Sequence, residues 1–225
     1  MSTSEEDVKE LAPGESFRRA KIEHYIERVQ EYVQMARFNV ARKTLDTVFS
    51  LDPSNSEARG LQRTIDDAIG QIVHRGNGQV KAGEGQDHEG RRSYRSELVL
   101  VVDQDEILLT SLVQALRQYG FQAVGAGSYD EAIETLAVVR PDVVISEVNF
   151  ESGPRGFDLY LWLKTNAGQN NIPFLFLAAR IDRDMLIAGK RFGVDDLILK
   201  PVDNDVVTAS IINCLARRRT MAKAG

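Results

Sequence analysis

The chain has little of what several large protein classes require. A single cysteine, Cys214, allows no internal disulfide and fits a reducing compartment. Only three histidines occur, His24, His74 and His88. They share no spacing suited to a metal site, so solvated side chains are expected. No run approaches the roughly eighteen apolar residues that a membrane span needs. The N-terminal MSTSEEDVKE is acidic and polar rather than signal-like. Basic charge is not in excess either: a formal net charge of -5 argues against general nucleic-acid binding. What is present is ordinary, with 43% hydrophobic and 27% charged residues over 225 positions. A soluble, cytoplasmic protein with a normal core is expected.

Residues 1–15 are polar and include Pro13 and Gly14, so a disordered lead-in is predicted there. From Phe17 the pattern turns helical, with Ile22, Tyr25, Ile26, Val29 and Val33 at spacings of three and four. A second helix carries Val40, Ala41, Leu45, Val48 and Phe49 and stops at LDPSN, where Pro53 forces its predecessor out of helical geometry. Ser54 or Asn55 can cap a third helix bearing Ala58, Leu61, Ile65, Ala68, Ile69 and Ile72. These make a helical unit over 16–74. Residues 75–93 then hold five glycines and almost nothing apolar, which predicts a flexible linker over 75–96.

Short apolar runs alternate with amphipathic stretches through 97–219, ahead of a tail at 220–225. Strands are predicted at Leu98–Val102, Phe121–Val124, Asp142–Ser146, Phe174–Leu177 and Asp196–Leu199. Helices are predicted near 107–119, 129–138, 156–166, 183–191 and 204–218. This alternation specifies a parallel sheet with helices on both faces, whose working site lies at the carboxyl ends of the strands. That edge carries Asp103, Gln104 and Asp105 after the first strand, Glu147 and Asn149 after the third, Ala178 after the fourth and Lys200-Pro201 after the fifth. Acidic groups from two strand ends with a lysine from a third suit a hard cation and a phosphoryl group.

VVDQDE, PDVVISEVNF, IPFLFLAAR and FGVDDLILKP, in this order, resemble the receiver domain of bacterial two-component response regulators over roughly 97–218. The resemblance implies a flavodoxin-like five-stranded sheet. It also implies an aspartate after strand three that takes a phosphoryl group from a histidine kinase, with Mg²⁺ held by that aspartate and two acids after strand one. A Thr or Ser after strand four and the lysine after strand five would contact the phosphoryl oxygens, and an aromatic in strand five would switch rotamer. Asp103, Lys200 and Pro201 keep the implied types, and Asn149 stands where a main-chain carbonyl is used. Gln104 replaces the second acid, Glu147 the acceptor, Ala178 the hydroxyl and Leu197 the aromatic. A carboxylate displaced by one methylene, on the order of an ångström, costs about a hundredfold in positioned chemistry.

The departures lead to an expectation of a degenerate pocket with no catalytic residues and no cofactor. Glu147 is then a structural carboxylate paired with Lys200, or a fixed mimic of the charged state. The rival reading is a working regulator that uses Mg²⁺ and phosphorylates on Glu147, or on a neighbour such as Asp105. Met35 to Asn55 is similar to a tetratricopeptide repeat through Ala36, Phe38, Ala41, Leu45 and the closing LDP-x-N. One such repeat rarely stands alone, so it packs on the α/β domain, on a second copy or on a partner. The function expected from these residues is a phosphorylation-independent adaptor. It would bind other proteins, or a second copy of itself, through Phe38, Arg42, Leu197 and Lys200. A purely structural oligomerisation subunit is the third reading.

Overall fold

The computed structural model describes residues 13–77, 97–151, 153, 155–166 and 171–223. Three helices come first: α1 (Pro13–Gln34), α2 (Phe38–Leu51) and α3 (Ser56–Asn77). The α/β part follows as β1 (Leu98–Val102), α4 (Glu106–Gln118), β2 (Gln122–Ala126), α5 (Tyr129–Val138) and β3 (Val143–Glu147). It continues through α6 (Gly156–Thr165), β4 (Phe174–Ala178), α7 (Arg183–Phe192), β5 (Asp196–Leu199) and α8 (Asn204–Lys223). The five strands pair in parallel in the order β2-β1-β3-β4-β5, which is the flavodoxin-like arrangement expected.

The central strands read LVLVV, VVISE and FLFLA and are buried along their whole length, as a sheet covered on both faces demands. Phe174, Phe176 and Tyr160 cluster under α6, with Phe174 and Tyr160 edge to face at 5.4 Å. The last helix is pinned to the sheet by Arg218 against Asp142 and Arg219 against Glu97.

The helical unit has a small core of Ile26, Val29, Ala41, Leu45, Val48, Ala58 and Ile65. The α1–α2 turn is tight because Ala36 takes a left-handed φ of 55° while Arg37 N–H reaches back to the Tyr32 carbonyl. Asn55 caps α3 by accepting from Ala58 N–H at 2.9 Å. The unit is not free-standing. Ala36, Phe38, Ile72 and Val73 join the core of the sheet domain, and the carbonyl of Met35 lies against Gly125 of β2.

Helix α1 begins at Pro13 rather than Phe17, since proline is tolerated in a first turn whose N–H groups have no helical partner. Residues 1–12 of the expected lead-in lie outside the described residues. Helix α3 runs to Asn77, past the expected start of the linker, and 78–96 lie outside the described residues. Phe38, expected to contact a partner, is half-buried and packs against both cores of its own chain.

Candidate functional site

Three strand ends bring Asp103, Glu147 and Lys200 together. Strand β1 delivers Asp103, whose N–H is held by the Ala126 carbonyl of β2 at 3.0 Å. Lys200 leaves β5 with its N–H on the Ala178 carbonyl at 2.8 Å, and the Lys200–Pro201 peptide is cis. Lys200 Nζ lies 2.7 Å from Asp103 Oδ2 and also pairs with Glu147 Oε2. One ammonium thus sits between two carboxylates that would otherwise repel each other.

Glu147 is 6% exposed, and its added methylene folds the carboxylate back over the strand end. Oε1 accepts from Val148 N–H at 2.8 Å and Asn149 N–H at 3.1 Å, which leaves Oε2 to Lys200. Asp103 is wholly buried. Its Oδ1 accepts from Asp105 N–H at 3.0 Å, whereas Oδ2 makes no well-angled hydrogen bond and has only the ion contact with Lys200. Burial pushes the Asp103 carboxyl up, and Glu147 adds to this, against the lowering pull of Lys200 and the Asp105 amide. Burial pulls the Lys200 ammonium down, but Asp103 and Glu147 outweigh it and its pKa is raised.

The remaining sequence candidates divide. Gln104 turns its side chain across the pocket mouth, where Oε1 accepts from Glu151 N–H at 2.6 Å. Asn149 is exposed beside Glu147 and gives its N–H to it. Ala178 is buried and offers only its carbonyl. Leu197 is half-buried and faces Gly189 of α7 rather than the pocket. Asp105 is exposed at the start of α4, which its Oδ1 caps by accepting from Ile107 and Leu108 N–H. Arg42 lies away from this site and pairs with Asp66. Arg218 and Arg219 of α8 pair with Asp142 and Glu97.

Sequence reasoning missed Arg37. Its guanidinium lies under the β2–α5 corner and holds Glu131 through two nitrogens and Glu106 through the third. Gly156 is also required by packing: a Cβ there would stand 2.1 Å from the Glu147 carbonyl, so only glycine lets α6 start against the end of β3. The alternation of strands and helices carries no signal for either.

The buried Asp103 Oδ2, free of a good hydrogen bond, and Glu147 Oε2 form a two-carboxylate set. Among the described residues no group of three or more His, Cys, Asp or Glu stands ready for a metal. Two carboxylates suffice for Mg²⁺, which commonly takes one or two with water and phosphate filling its shell.

Residues 99–212, about half of the chain, match the family profile described as response regulator receiver domain. The response regulator protein GraR of Staphylococcus epidermidis is 28% identical over 113 residues, 50% of this chain and 49% of that protein. The transcriptional regulatory protein PrrA of Mycobacterium tuberculosis is 32% identical over 127 residues, 56% of this chain and 53% of that one. The chain therefore spans about half the length of the curated relatives it matches. A response regulator receiver domain protein from Clostridium thermocellum superposes with a TM-score of 0.50 at 21% identity, covering 56% of this chain and 98% of that one, which shows the shared fold. These matches correct the expected function. Proteins named as response and transcriptional regulators, not phosphorylation-independent adaptors, are what the chain is similar to. Among the described residues no helix is long and apolar enough to cross a membrane.

Proposed function

The chain belongs to the response regulator receiver family, and on that premise we propose that it is a two-component response regulator that takes a phosphoryl group on Glu147. The observation that carries this reading is the Asp103–Lys200–Glu147 bridge, which aims one nearly buried carboxylate oxygen at a cation between strand ends. The two backbone N–H groups on Oε1 hold the carboxylate still, so Oε2 is the attacking atom. Oε2 forms a bond to the phosphorus of a phosphohistidine donor. The P–N bond breaks, its electron pair stays on the imidazole nitrogen, and an acyl phosphate results. Lys200 leaves the carboxylate for the phosphoryl oxygens, where its charge offsets what develops in the transition state. Mg²⁺, held by Asp103 and Glu147, would supply further neutralisation of the phosphoryl oxygens.

Gln104 and Ala178 make this pocket sparer than the family pattern, with one formal charge fewer and no hydroxyl after β4. Slow phosphorylation is the consequence. The helical unit, which resembles one tetratricopeptide repeat capped by a third helix, is the part that differs from the receiver.

Intact mass after incubation with Mg²⁺ and acetyl phosphate tests this. One phosphoryl adduct is expected on the wild-type chain and none on Glu147→Gln. No adduct, with another receiver labelled in parallel, overturns the reading; so does an adduct that survives Glu147→Gln.

A further inference from the structure

The α1–α2 turn reaches within three residues of the pocket's acid. Arg37, 9% exposed, donates from Nε to Glu131 Oε1 at 3.0 Å, from Nη2 to Glu131 Oε2 at 2.7 Å and from Nη1 to Glu106 Oε1 at 3.0 Å. Its guanidinium also lies 5.2 Å from the Tyr32 ring centroid. Glycine at 127 makes the room, since a Cβ there would stand 2.7 Å from Nη2.

Both carboxylates lead to Asp103. Glu106 opens α4 directly after Asp105, whose N–H sits on Asp103 Oδ1 and whose side chain caps the same helix. Glu131 Oε2 also accepts from Gly127 N–H at 2.8 Å, and the neighbouring Ala126 carbonyl accepts from Asp103 N–H. The bonds therefore close a ring: Asp103, Asp105–Glu106, Arg37, Glu131, Gly127–Ala126, and Asp103 again. The only member of that ring contributed by the helical unit is Arg37.

We infer that Arg37 is a positioning residue for the pocket: from the helical unit it sets the loop carrying Asp103, so that cation binding and docking of the unit are linked. This rests on the pocket reading above. Linkage is reciprocal, so whatever Arg37 does for the pocket, the pocket does for the seat of the α1–α2 turn.

The sign of one substitution separates positioning from charge. Removing a cation near two carboxylates would by itself strengthen Mg²⁺ binding, whereas losing the brace on the Asp103 loop weakens it. The experiment is a Mg²⁺ titration of the full chain, followed by the amide shifts of residues 103–106 and 147–149. Arg37→Ala is expected to bind about tenfold more weakly than wild type, a common size for coupled sites. Arg37→Lys keeps the charge but not the fork that serves two carboxylates, and should fall between the two. Equal or tighter binding by Arg37→Ala overturns the inference and leaves the pocket standing. Absence of any shift in the wild type overturns the pocket reading and this inference together. Should Arg37→Ala fail to fold, the wild type serves alone. Mg²⁺ is expected to slow amide exchange at residues 35–39, and unchanged exchange at saturation refutes the link.

Discussion

Asp103 and Lys200 set opposing terms in the stability of the pocket. The Asp103 carboxyl titrates higher in the native chain than the ordinary 3.8, so the unfolded chain loses its proton first as pH rises. Stability contributed by Asp103 is thus lost as pH rises from about 4 through its raised native value. Asp103→Asn should stabilise the chain at pH 7, with the gain vanishing below pH 4 in thermal melts. Lys200 has the opposite sense: its raised pKa gives stability that is fully present below the ordinary 10.5 and disappears as pH climbs through the native value. Lys200→Met leaves two buried carboxylates facing each other and should cost about 3 kcal/mol in urea unfolding. Adding Asp103→Asn to Lys200→Met should recover a large part of that cost, because the two sites share one interaction.

At the scale of elements, what could be read from the sequence was what each element specifies locally. LVLVV matches β1 to the residue because a strand buried on both faces is a continuous branched-aliphatic run. Strand β2 was placed early: Phe121 packs just before it, and its true end, Gly125-Ala126, has no strand-like side chains. That end is buried by the α1–α2 turn, a contact ninety residues away in sequence. The pocket was legible because strand ends carry it, whereas Arg37 was not, since its partners lie 69 and 94 residues on. Two element-level substitutions follow. Gly156→Ala drives a methyl into the Glu147 carbonyl and should lower adduct yield by at least about tenfold in the intact-mass assay. Leu45→Ala, at the centre of the small helical core, should destabilise the helical unit by about 3 kcal/mol, read as loss of helical ellipticity at lower urea.

For the whole molecule, the two cores are continuous through Phe38, which touches both. Calorimetry should accordingly record one unfolding transition rather than two, with Phe38→Ala splitting it. The sheet itself has unlike margins. At β2 the α1–α2 turn lies against the strand, and Arg117 bonds the Ala123 carbonyl and reaches the Gln34 carbonyl. At β5 no further strand pairs among the described residues, and Leu199 is exposed. Strand-by-strand growth requires two open margins per molecule. With the Ala123 carbonyl of β2 held by Arg117 and Gly125 overlain by the α1–α2 turn, growth through that margin is obstructed, so edge-to-edge association through the sheet favours pairs over a fibre.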